Sequence, residues 1–146
     1  MMDKTDIQLL KILQEDGRIT LSDLSKELNL SRPSVSERLT KMMEQGIIDK
    51  IAAKVSPPSV GRKVLLFINV SDINVPYHTF EEMVANHPDI IECHRLTGVV
   101  NYLLKAAVND MEQLNRLIDH LIPYGVINTS VVLKSPVPEK IILPST

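Results

Sequence analysis

The segment from Leu21 to Met43, LSDLSKELNLSRPSVSERLTKMM, admits few folds. Leu21, Leu24 and Leu28 recur at i, i+3 and i+7, which makes one apolar stripe of a helix. Asn29 follows at once, and asparagine reaches the left-handed conformation that a sharp helix exit needs. Ser31 is placed to cap a second helix, and Pro33 falls in its first turn, where a missing N–H costs little. Val35, Leu39 and Met42 give that helix its own stripe. Ser34, Ser36, Glu37, Thr40 and Lys41 point away from it, with Arg38 on the flank. Two helices joined by so short a turn form either an ordinary hairpin with a solvated face or a helix-turn-helix. The short polar side chains and the cations of the second helix suit a DNA groove.

The rest of the chain limits the setting. Its 146 residues hold one ordinary domain or two small ones, and 44% hydrophobic residues support a packed core. No apolar run approaches the roughly 20 residues needed to span a bilayer. The start, MMDKTDIQLL, has no apolar core of a secretory signal. A soluble, cytoplasmic chain with no membrane association is the expectation. The single cysteine, Cys93, can form neither an internal disulfide nor a cysteine-rich zinc site. Tryptophan is absent and aromatics are 3%, which argues against a stacking platform for single strands.

Net charge is −2, but it is unevenly spread. From Ser31 to Arg62 six basic residues, Arg32, Arg38, Lys41, Lys50, Lys54 and Arg62, face three acidic ones. From Lys63 onward six basic residues face nine acidic ones. A basic patch on an acidic chain suggests a local DNA footprint carried beside a separate acidic domain.

The spacing predicts a first helix over 3–15, with Ile7, Leu10 and Leu13 as its stripe, Leu9 and Ile12 in support, and Gly17 as its C-cap. After Gly46, residues 47–55 mix β-branched side chains with lysines and are expected to form a short two-stranded wing. Residues 1–55 then read as a winged helix-turn-helix. SPPSVG, at Ser56 to Gly61, is a stiff linker, taken as 56–62. Beyond it VLLFINV, from Val64 to Val70, is a buried-strand pattern. A helix over 76–86, strands over 90–96 and 102–108, a helix capped by Asp110, and a strand over 125–133 follow. The order is βαββαβ, a ferredoxin-like unit assigned to 63–146, with Ile141, Ile142 and Leu143 available as an added edge strand. The fold class is therefore α+β: an N-terminal winged helix-turn-helix followed by a ferredoxin-like βαββαβ domain.

The candidate DNA-binding residues are Ser31, Arg32, Ser34, Ser36, Arg38 and Lys41. Arg38 suits a phosphate or a guanine edge, or else a surface pair with Glu37 or Glu44. Ser31 alone is better explained as a cap. Glu37 suits a cytosine amino group, or solubility only. His78, His87, His94 and His120 show none of the short spacings of metal sites, so no metal or cofactor is expected. His94 and Glu92 share a strand face and read as a surface pair. Cys93 reads as a small hydrophobe, with no base beside it to make a nucleophile.

Four segments together, DKTDIQLLKILQEDGR, LSKELNLSRPSVSERL, GII and LTGVVNYLLK, resemble the Lrp/AsnC family of bacterial and archaeal transcription regulators, over nearly the whole chain. The resemblance implies a DNA-binding regulator and no enzyme. It implies dimers through the βαββαβ domains, frequent octamers, and small-molecule effectors, usually amino acids, bound between dimers. It places the effector site at Thr97, Gly98, Val99, Val100 and Asn101. Here the chain departs from the family, whose turn carries acidic residues of the form G-D/E-x-D-Y. Val99 and Asn101 replace two carboxylates able to hold an ammonium group. Asn29, where many helix-turn-helix proteins place glycine, is a milder departure.

The leading expectation is thus a DNA-binding regulator with double-stranded DNA and a second copy of itself as partners. The altered turn opens a variant, an architectural DNA-wrapping protein without effector response. A haem-pathway decarboxylase is the enzyme alternative, since some resemble this family, with His94 and Arg95 as the tetrapyrrole-binding candidates. A metabolite sensor acting on a partner protein is the third reading.

Overall fold

The computed structural model of the protein describes residues 2–145. It contains two compact units, one running up to Lys54 together with the tail from Val137, the other Val55–Pro136.

The first unit is built from α1 (Lys4–Glu15), α2 (Leu21–Glu27) and α3 (Arg32–Glu44). Each helix has a side-chain cap at its start. Asp3 and Asp6 form a reciprocal capping box on α1. Thr20 accepts from the Asp23 N–H on α2 at 3.0 Å, and Ser31 from the Ser34 N–H on α3 at 3.3 Å. Asn29 takes the left-handed conformation, φ 52°, between α2 and α3, as its side chain allows. Leu9, Leu10, Leu24, Leu28, Val35 and Met42 meet in one core. Leu9 and Leu10 are the deepest residues of α1, rather than the Ile7–Leu10–Leu13 stripe. Asp16, in extended conformation, closes α1; Gly17 is not left-handed and so does not serve as the cap.

Two expectations for this unit need correction. Residues 47–55 form no strand, so the expected two-stranded wing is absent as a ladder. The segment holds no glycine, proline or Asn-Gly pair to reverse the chain into a hairpin. The tail adds no edge strand to the second domain either: among the described residues, none from 132 onward lies in a strand. Pro136 and Pro138 cannot donate to a ladder. Ile142 is held by the Gln14 side chain of α1 instead: its N–H donates to Oε1 at 2.9 Å and its carbonyl accepts from Nε2 at 2.8 Å.

The second unit opens with one 3-10 turn, Pro57–Val60, and left-handed Gly61, so the stiff linker carries a single turn of regular structure. Then come β1 (Val64–Ser71), α4 (Tyr77–Ala85), β2 (Ile90–Arg95), β3 (Val100–Val108), α5 (Met111–Leu121) and β4 (Val126–Val131). The antiparallel sheet has the order β2-β3-β1-β4, the ferredoxin-like arrangement. Leu66, Ile68, Val70, Tyr102, Leu104 and Ala106 point to one face. Phe80 and Val84 of α4 and Leu114, Leu117 and Leu121 of α5 cover them. Each leucine, isoleucine, valine or phenylalanine among them contributes about 1.5–3 kcal/mol by leaving water. Among the described residues of the second unit no helix covers the opposite face: Phe67, opposite Lys105 and Ser130, is 37% exposed, with Leu65, Asn69 and Leu103 around it. Among the described residues no helix is long and apolar enough to cross a membrane.

Candidate nucleic-acid interface and effector turn

The polar face of α3 is displayed as its periodicity requires. Ser36, Glu37, Thr40 and Lys41 are exposed, while Ser34 and Arg38 are half-buried. Ser31 is spent on its cap. Arg32 donates from Nη2 to the Ser22 hydroxyl at 3.0 Å, which fastens the starts of α2 and α3 together. Lys41 has no carboxylate within salt-bridge distance among the described residues.

Arg38 differs from expectation. It pairs with neither Glu37 nor Glu44, and it does not project freely from the helix. Its Nη1 donates to Asp3 Oδ2 at 2.8 Å and to Asp6 Oδ1 at 2.6 Å, across the first turn of α1. The Asp6 N–H, and then Arg38, hold the Asp3 carboxyl below its ordinary range. The two carboxylates in turn raise the guanidinium. Helical spacing places Asp3 at the start of α1 but does not reveal the link to α3. The Asp-x-x-Asp spacing of the capping box is the signal available for it.

The basic patch also thins. Lys54 pairs with Glu139, and Arg62 belongs to the second unit. There Arg62 donates to Asp89 at 2.9 Å and to the Ala107 carbonyl at 2.6 Å. Asp89 is buried and also accepts from Gln113 at 2.7 Å. A charge count along the sequence cannot see these pairings. Among the described residues, Arg32, Lys41 and Lys50 are the cations of the patch without a carboxylate partner.

In the second unit, residues 96–99 form the turn between β2 and β3. The Leu96 N–H donates to the Asn101 carbonyl at 2.9 Å, and Gly98 adopts φ 96°, which favours glycine. Thr97 and Gly98 are exposed, and Val99 is 85% exposed at the tip. Val100 and Asn101 enter β3 half-buried. The Asn101 amide oxygen, a candidate ligand acceptor by sequence, accepts instead from the Ile73 N–H at 3.2 Å and braces the loop after β1. The structure thus groups Thr97, Gly98 and Val99 as an accessible turn and gives Asn101 a structural bond.

Behind this turn Glu81 of α4 accepts from the Tyr102 hydroxyl at 2.6 Å and from Arg95 Nε at 3.0 Å. The Arg95 guanidinium lies 4.7 Å from the centre of the Tyr77 ring. The cluster ties α4 to β2 and β3. Cys93 and Arg95 pair with inward-facing Leu104 and Tyr102, whereas Glu92 and His94 pair with Lys105 and Leu103 on the open face. His94 and Arg95 therefore point to opposite sides of the sheet and cannot grip one tetrapyrrole together. The expected Glu92–His94 pair forms at 3.1 Å, and Lys105 joins it at 3.0 Å.

Comparison with known proteins agrees with this geometry. A winged helix-turn-helix DNA-binding model matches residues 2–49, and the Lrp/AsnC ligand-binding-domain model matches 64–142. The chain belongs to the Lrp/AsnC family. It is 34% identical to the uncharacterized HTH-type transcriptional regulator YezC of Bacillus subtilis, over 92% of this chain and 95% of that one. The structure of Bacillus subtilis LrpC superposes with a TM-score of 0.90 at 26% identity, covering 95% of this chain and 99% of LrpC. The regulator NMB0573 of Neisseria meningitidis, solved with L-Met, also gives 0.90, at 33% identity, covering 97% and 96%. This Lrp/AsnC member is accordingly a DNA-binding transcriptional regulator and not an enzyme.

Proposed function

We propose that this Lrp/AsnC regulator binds duplex DNA in the cytoplasm as a dimer that assembles further, to octamers. Two copies of α3 would sit in successive major grooves of a pseudo-palindromic site. The observation that carries this is the exposed face of α3, Ser36, Glu37, Thr40 and Lys41, presented by a capped three-helix unit. Arg32 and Lys41 contact phosphate, while Ser34 and Ser36 let the helix approach closely. The test is binding of short duplex DNA across a salt series. Affinity falls steeply with salt, because each neutralised phosphate releases counterions. Binding that ignores salt would refute the assignment.

The effector is a neutral amino acid with an apolar side chain, held at the turn of Thr97, Gly98 and Val99. The L-Met complex of NMB0573 supports this class. So does Val99, apolar and exposed where the family pattern has a carboxylate. Without an anion at the turn, lysine and arginine lose a charge-assisted partner, and such bonds are roughly twice as strong as neutral ones. Calorimetric titration across the amino acids gives heat with methionine or leucine and none with lysine or arginine. Tight arginine binding would reverse the assignment.

A further inference from the structure

We propose that Arg38 is a positioning residue withheld from DNA, which locks the reading helix α3 onto the first turn of α1. The inference rests on α3 being the DNA-reading element. Each carboxylate that holds Arg38 is used twice. Asp3 accepts from the Asp6 N–H through Oδ1 at 2.8 Å and from Arg38 through Oδ2. Asp6 accepts from the Asp3 N–H through Oδ2 at 2.9 Å and from Arg38 through Oδ1. The capping box of α1 and the docking of α3 are therefore one interlocked structure. The positive end of the α1 dipole fixes both carboxylates in place, and Arg38 joins them from the middle of α3.

The surroundings oppose a phosphate at this guanidinium. Arg38 lines a cleft of about 610 Å³ whose charged walls are Asp3, Asp6, Glu37, Arg38 and Lys41, three anions against two cations. A phosphate reaching Arg38 would have to displace two carboxylates and pass a third. Lys41 lines the same cleft one turn on, but it is exposed and no carboxylate among the described residues lies within salt-bridge distance of it.

The experiment follows binding of short mixed-sequence duplex DNA across a salt series, for the intact chain and for Arg38→Ala, Asp3→Asn with Asp6→Asn, and Lys41→Ala. Arg38→Ala and the double asparagine variant lower affinity by the same factor at every salt concentration, with the salt slope unchanged. Combining them adds no further loss, since they break one unit. Lys41→Ala lowers the slope by about 0.9 for each phosphate that is no longer neutralised. A slope drop in Arg38→Ala equal to that of Lys41→Ala would overturn the proposal. So would tighter binding by the asparagine variant, because it would mean that the carboxylates keep Arg38 from reaching a phosphate. The asparagine variant keeps Arg38 and near-native shape, so the outcome does not hang on whether Arg38→Ala folds. If the intact chain bound no duplex at any salt concentration, the reading of α3 itself would fall, and this role for Arg38 with it.

Discussion

Tyr102 is buried between the sheet and α4, and its hydroxyl donates to the Glu81 carboxylate. Burial, and then that anion, push its pKa up from 10.0 to about 12. The neutral phenol is therefore favoured in the folded chain. Its contribution is complete below pH 10, the unfolded value, and is lost as pH rises from there through about 12. Alkaline unfolding should set in across that window, with Tyr102 ionising near its upper end, as followed by phenolate absorbance. Tyr102→Phe should remove this step; a phenolate titration complete near pH 10 would contradict the burial argument. The residue scale is also where the sequence is least informative. Arg38 and Asn101 look in the sequence like groups awaiting a ligand, because a sequence shows a side chain's chemistry but not its partners. Asp3, Asp6 and the Ile73 N–H lie 28 to 35 positions away from them, beyond any local spacing rule.

Elements are more legible, because periodicity and caps are local. The three helices of the reader, both helices of the second unit and all four sheet strands lie within a few residues of where apolar spacing puts them. The failures have a common cause. The wing and the tail strand rest on β-branched composition alone, and composition does not supply a hydrogen-bonding partner. Gly125 shows an element-level constraint that composition hides. It precedes β4 in extended conformation, so its backbone angles suit any residue. A Cβ there would stand 2.5 Å from the Ser71 carbonyl and 3.3 Å from that of Asp72. Both obstacles are backbone, so Gly125→Ala must part the ends of β1 and β4. The expected cost is about 1–3 kcal/mol, typical of overpacking, visible as a lower melting temperature. An unchanged melting temperature would mean that this junction opens without penalty.

At the scale of the whole molecule the open sheet face is the surface on which the proposed pairing depends. One side of the sheet is covered by α4 and α5, while Leu65, Phe67 and Leu103 on the other have no cover within the chain's second unit. A contiguous apolar face is seldom left in water, and a second copy brings the same surface in self-complementary form. The pairing of Lys105 with Glu92 neutralises charge along one margin, so two such faces would meet without strong repulsion. Asn69, Asn128 and Ser130 supply a polar rim. Phe67, central in β1 between Lys105 and Ser130, is the side chain whose burial would matter most. Phe67→Lys keeps the strand alternation and leaves the helix-covered core untouched, yet puts a cation beside Lys105 on each face. Light scattering at micromolar concentration should give a dimer or larger species for the intact chain and a monomer for Phe67→Lys. DNA affinity should fall with the dimer, since one reader per molecule loses the second half-site. A monomeric intact chain would show that the open face is not the one this regulator uses to pair.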